Sequence, residues 1–117
     1  DTDRSRGLGD VYKRQVYNLV ENAIKYNHFG GQVTVTAYRK GKNICLSVED
    51  TGSGIPAELK ERIFEPFFRV DKSRSRQLGG VGLGLALVHE IVRVHDGRIT
   101  VQSSPSGGTI FEVVFTQ

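Results

Sequence analysis

Apolar and polar positions along the chain follow two periods. From Val16 to about Asn27, Leu19, Val20, Ala23 and Ile24 recur at helical spacing and form one apolar stripe. Asn18, Glu21, Asn22 and Lys25 form a polar stripe beside it. Gly30-Gly31 then breaks the pattern. Val33–Arg39 alternates as a strand, with Val33, Val35 and Ala37 on one face. "GKN" (Gly41–Asn43) signals a turn into a second strand, Ile44–Asp50. On that strand Ile44, Leu46, Val48 and Asp50 share a face, because side chains repeat every second residue. Asp50 therefore points to the core side, where a bare charge is costly and a partner is required.

"DTGSGIP" (Asp50–Pro56) reads as a loop, and Pro56 suits the first turn of a short helix over Ala57–Ile63. Phe64–Gly80 has no clear period and carries Arg69, Lys72, Arg74 and Arg76. A loop of that length in a compact domain is functional or disordered. Leu83–Val94 reads as a helix with Leu83, Leu87, Ile91 and Val94 on one face, closed by Gly97 near its C-cap. Arg98–Ser103 and Thr109–Thr116 read as strands joined by "SPSGG". Pairs of strands separated by helices predict an α+β fold. Helices lie on one face of a mixed, mainly antiparallel sheet.

Composition narrows the class without naming a function. The 117 residues suit one domain, with 38% hydrophobic and 25% charged residues. A net charge of +3 is too small to argue for a nucleic-acid partner. The single cysteine, Cys45, excludes an internal disulfide and fits a reducing compartment. No run approaches the roughly 18 apolar residues that cross a bilayer, and no signal peptide is visible. Membrane anchoring of a longer parent protein stays open.

Residues 1–15 stand apart, with four basic and three acidic side chains. "DVYKRQ" (Asp10–Gln15) resembles the in-frame translation of a transposon end used in sequencing-library preparation. Two readings stay open: a partly non-native segment, or an ordinary polar strand or helix lead-in. The domain is accordingly drawn over residues 16–117.

Four features carry candidate chemistry. Asn18, Asn22 and Lys25 lie at i, i+4 and i+7 and project from one helix face. A solvated face is the ordinary reading. Two asparagines are poor helix formers, however, and an amide oxygen is a hard ligand suited to Mg²⁺. Asp50 either caps the following turn or accepts from an exocyclic amine such as that of adenine, with Gly52 and Gly54 allowing close approach of a flat ring. "FEPFFRVDKSRSR" (Phe64–Arg76) is either a basic surface patch or a lid whose arginines meet phosphates. "GGVGLGLALV" (Gly79–Val88) is either a hinge or a phosphate-binding loop. Gly80, Gly82 and Gly84 would then donate N–H groups ahead of a helix N-terminus. It has neither the lysine of a P-loop nor the spacing of a dinucleotide fingerprint.

Taken together, the order and spacing of these features resemble the ATP-binding catalytic domain of sensor histidine kinases, in the wider family that includes gyrase B and MutL ATPases. "NLVENAIKYN" (Asn18–Asn27) resembles the asparagine box and "DTGSGI" the first glycine box. "FEPFFRVD" resembles the phenylalanine box, "GGVGLGLALV" the second glycine box, and "GGTIFEV" (Gly107–Val113) the closing glycine-threonine element. The resemblance spans Val16 to about Phe115 and implies a two-layer Bergerat-type sandwich.

It also implies roles. Asn22 would hold the Mg²⁺ that bridges the ATP phosphates, with Asn18 one turn earlier, and Arg69 would reach the terminal phosphate; these three are the catalytic candidates. Lys25 and Tyr26 would reach phosphates and sugar. Asp50 would bind the adenine amine beside Gly52, Gly54 and Ile55, supported by Thr109. Phe68, Gly80, Val81, Gly82, Leu83, Gly84 and Leu85 would complete the nucleotide's surroundings. Val81 departs from the Thr or Ser that relatives often carry there.

In the gyrase and MutL branch a glutamate stands where Asn18 stands here and activates water. An amide cannot act as a general base. The implied activity is therefore transfer of the ATP γ-phosphoryl group to a histidine. A true ATPase, a serine-directed kinase and a nucleotide-sensing module are the alternatives. None of His28, His89 and His95 sits in the acidic helical context of family acceptors at the start of a dimerisation hairpin; His89-Glu90 has the right pair but lies inside the helix of the second glycine box. The acceptor is expected on an upstream dimerisation domain. A response regulator receiver domain is then the indirect partner and the whole protein a homodimer. The expected setting of this fragment is cytoplasmic, with no nucleic acid and no membrane contact of its own.

Overall fold

The computed structural model describes residues 2–66 and 84–116. Helix α1 (Thr2–Lys25) leads into strands β1 (Val33–Lys40) and β2 (Asn43–Asp50). Two 3₁₀ turns follow, Ala57–Leu59 and Arg62–Phe64, in place of the single short helix expected over Ala57–Ile63. Helix α2 (Gly84–Val94), β3 (Arg98–Ser103) and β4 (Thr109–Thr116) complete the order. The strands lie in the order β1-β2-β4-β3, and all three pairings are antiparallel. The centre of the sheet is set by Val48, which faces Val35 on β1 and Phe111 on β4.

Both helices cover one face of this sheet. Leu19 and Ala23 from α1, Val88 and Val92 from α2, and Ile63 from the second 3₁₀ turn pack on Leu46, Val48, Phe111, Val113 and Phe115. Strand β4 buries Thr109, Phe111, Val113 and Phe115 in strict alternation, which its sequence pattern dictates. Each fully buried large side chain in this set contributes on the order of 1.5–3 kcal/mol.

The buried faces of the helices differ in phase from the apolar stripes of the sequence. Ile24 is 63% exposed and Leu87 and Val94 are also exposed, while Val88 and Val92 are buried. Apolar residues flank both sides of each stripe, so periodicity alone leaves about one residue of rotation undetermined. Strand β1 is an edge. Val33 packs on the core, yet Val35 on the same face stays exposed, because α1 covers β2 more fully than it covers the edge strand.

Helix α1 begins far before Val16. Val11 and Tyr12 pack on the core and Gln15 is 1% exposed. The Tyr12 ring lies 4.6 Å from that of Phe115. Gly7, Gly9 and the dense charges lower helix propensity here, and tertiary burial of Tyr12 and Gln15 overrides it. Among the described residues, Tyr12 Oη and Gln15 Oε1 are buried without hydrogen-bond partners. At the end of α2 the left-handed position belongs to Asp96 (φ 59°) and not to Gly97. The Gly97 N–H donates to Val92 O at 2.8 Å. A side chain at Gly97 would meet Val114 O, so this glycine serves close packing against β4.

Candidate functional site

The polar stripe of α1 sits on a flank of the helix and not on its fully solvated back. Asn18, Asn22, Lys25 and Tyr26 are all half-buried, whereas Glu21 is exposed. Glu21 lies three residues after Asn18, about 60° round the helix, so it borders the asparagine face but on its exposed side. Among the described residues no three His, Cys, Asp or Glu side chains cluster. The half-buried hard oxygen donors of this stripe are the neutral amides of Asn18 and Asn22. That suits a Mg²⁺ whose negative ligands come from nucleotide phosphates.

Asp50 ends β2 and is 7% exposed. The cost of burying it is offset by two backbone donors. Gly52 N–H reaches its Oδ1 at 2.9 Å and Thr109 N–H at 3.3 Å. Both bonds engage Oδ1, and among the described residues none engages Oδ2. The carboxylate is therefore held by one oxygen while the other remains an acceptor for an incoming N–H.

The closing glycine-threonine element presses directly on this group. A side chain at Gly108 would collide with the Asp50 backbone carbonyl, so only glycine lets β4 begin this close. Buried Ser104 fixes that turn, its hydroxyl accepting from Gly108 N–H at 2.9 Å. Gly52 has a similar duty on the other side, where an added Cβ would lie 2.7 Å from Tyr26 O. The expected Thr109 support of Asp50 comes from its backbone N–H. Gly54 turns the loop at φ 76°, and Ile55 and Leu85 pack on the core.

Phe64 of the phenylalanine box meets Phe111 edge-to-face (6.3 Å) and the His89 ring at a tilt (5.1 Å), which ties the 3₁₀ turn to α2 and the sheet. Phe68, Arg69, Gly80, Val81, Gly82 and Leu83 lie outside the described residues, as do Lys72, Arg74 and Arg76. Gly84 is the first residue of α2.

Three residues near Asp50 carry no role in the sequence reading: Asn27, Gln32 and Thr51, which hydrogen-bond to one another. Their signal was faint. Asn27 closes the asparagine box and Thr51 stands inside the first glycine box, but their contact spans 24 residues.

The family model described as "Histidine kinase-, DNA gyrase B-, and HSP90-like ATPase" matches residues 9–117. The sensor-like histidine kinase SenX3 of Mycobacterium tuberculosis is 51% identical over 108 residues, which are 91% of this chain and 26% of SenX3. The chain thus spans about a quarter of the length of that relative. The solved mycobacterial sensor histidine kinase MprB superposes with a TM-score of 0.79 at 33% identity, covering 92% of this chain and 72% of MprB. Histidine kinase ThkA, solved in complex with response regulator TrrA, superposes at 0.72 with 30% identity, covering 90% of this chain and 28% of that one. With its asparagine helix, its anchored aspartate and its four-stranded sheet, the chain belongs to the histidine kinase-, gyrase B- and HSP90-like ATPase family, as a catalytic ATP-binding domain of the sensor histidine kinase type.

Proposed function

We propose that this domain binds ATP with Mg²⁺ and transfers the γ-phosphoryl group to a histidine outside the chain, on the dimerisation domain of a sensor kinase. The observation that carries the reading is the Asp50 carboxylate, pinned through Oδ1 by Gly52 and Thr109 with Oδ2 open. That acceptor matches the exocyclic amine of adenine. Gly52, Gly54 and Ile55 border it, and Tyr26 and Lys25 lie toward the sugar and phosphates.

Phosphoryl transfer requires positioning and neutralisation of charge more than covalent chemistry from the protein. Asn22 would hold Mg²⁺ in this reading, with Asn18 beside it, and the bound ion would supply neutralisation of the phosphate charge. In this reading Arg69 would reach the terminal phosphate, and Gly80, Gly82 and Gly84, which precede or open α2 in sequence, would supply backbone donors. The acceptor imidazole nitrogen attacks the γ-phosphorus as the bond to the ADP oxygen breaks.

Asn18 supplies no base for water, and in this reading the site retains ATP until the histidine arrives. His89 is engaged with Phe64 and His28 Nδ1 lies 3.2 Å from Phe29 O, which supports an acceptor elsewhere. A response regulator receiver domain is the next acceptor, by analogy with the ThkA complex.

The test is a transfer assay with γ-labelled ATP and the separately produced dimerisation domain of SenX3. Label on that domain's histidine, lost with Asn22→Ala, is expected. Release of free phosphate without labelled protein would assign an ATPase instead.

A further inference from the structure

We infer that Asn27 is a positioning residue that clamps the end of the asparagine helix to the Asp50 loop. This inference rests on the reading that ATP spans both. Asn27 lies two residues beyond α1. Its Oδ1 accepts from His28 N–H at 2.9 Å and from the Thr51 hydroxyl at 3.3 Å. Its Nδ2 donates to Gln32 O at 2.9 Å. The ring is closed by Gln32 N–H donating to Thr51 Oγ1 at 2.9 Å and Thr51 N–H donating to Gln32 O at 3.2 Å. Three segments meet there: the end of α1, the lead-in to β1, and the residue after Asp50.

These three bonds fit one orientation of the Asn27 amide, oxygen toward donors and nitrogen toward a carbonyl. Aspartate at this position would lose the donor, and threonine would lose one arm of the planar fork. The consequence for the site follows from sequence adjacency. Asp50 is held by Thr109, Thr51 by Asn27, and Gly52 by close packing on Tyr26 O. Asn27 is also five residues beyond Asn22 on the same backbone. The clamp therefore sets the separation between the phosphate-side amides and the adenine-side carboxylate. Its hydrogen bonds are exposed or only part-buried, so exchange with water offsets most of their strength. It contributes modestly to folding and mainly to geometry, and ATP with its fixed length is the ligand that senses this.

The experiment uses the full chain as wild type, Asn27→Ala, Thr51→Val and Thr51→Ser. ATP·Mg²⁺ affinity is read by calorimetry, and nucleotide-free backbone amides by NMR. Asn27→Ala and Thr51→Val are each expected to weaken ATP about tenfold, the factor that follows from roughly one lost hydrogen bond. Both are expected to move the Gly52 amide resonance and to lower Tm by only a few degrees, while Thr51→Ser restores wild-type values. Wild-type affinity in both variants would overturn the clamp. So would lost affinity with an unmoved Gly52 amide, because the effect would then not pass through the loop. If the wild-type chain bound no ATP, the nucleotide reading would fail on its own. The nucleotide-free spectra would then decide the clamp: a shifted Gly52 amide in Asn27→Ala upholds it, and an unshifted one overturns it.

Discussion

The Thr109 backbone N–H donates to Asp50 Oδ1 at 3.3 Å, across 59 residues of sequence. One bond thus joins the first glycine box to the closing strand and leaves the second carboxylate oxygen available. Asp50→Asn keeps an oxygen for Gly52 and Thr109 but removes the charge and one acceptor. ATP affinity is expected to fall about 10- to 100-fold, the worth of a charge-assisted hydrogen bond, with the fold intact by circular dichroism. Unchanged affinity in a titration would place adenine elsewhere.

Gly108→Ala tests the packing behind that carboxylate. The added methyl would strike the Asp50 carbonyl, so β4 must shift or the turn held by Ser104 must open. A loss of at least about 2 kcal/mol in urea unfolding is expected, in the range of strained or overpacked sites. A neutral result would mean the turn has room that the structure denies.

Asn18→Glu returns a general base to the position that the amide occupies. ATP hydrolysis, measured as phosphate release with Mg²⁺, is expected to rise at least about tenfold. A well-placed base supplies 10²- to 10⁴-fold, and this one has not been tuned to the site. No rise would mean position 18 does not face the attacking water.

Asn22→Ala separates the metal from the base. The mutant is expected to bind ATP equally in Mg²⁺ and in EDTA, whereas the wild type loses affinity on chelation. A mutant that still responded to chelation would exclude Asn22 as the Mg²⁺ ligand.

Tyr12→Phe and Gln15→Leu each delete a buried polar atom that has no partner. Native cores seldom leave such atoms unpaired. Each substitution is expected to stabilise by about 1 kcal/mol, or a few degrees of Tm for a chain of this size. A fall in Tm for both would show that these atoms find partners in solution.

Local pattern made the later strands legible. Arg98–Ser103 and Thr109–Thr116 alternate cleanly, and the observed strands have those bounds. The asparagine helix and the inward Asp50 were legible for the same reason, since period and motif agree there. Other features depend on tertiary contact. The start of α1 is driven by Tyr12 and Gln15 landing on the sheet, which Gly7 and Gly9 disguise. The exposure of Val35 follows from β1 being an edge, which its alternating sequence does not reveal. The left-handed Asp96 took the role that composition assigned to Gly97, because Gly97 is consumed by packing against Val114 O. The Asn27–Thr51 clamp and the Ser104 pin are side-chain bonds between distant segments, and no local period encodes them.

The most direct test of the account is calorimetric titration of ATP into the wild-type chain, with Mg²⁺ and again with EDTA. One ATP per chain, bound more weakly without Mg²⁺ and far more weakly by Asp50→Asn, is the predicted result. No saturable binding by the wild-type chain, or binding indifferent to both Mg²⁺ and Asp50, would contradict it.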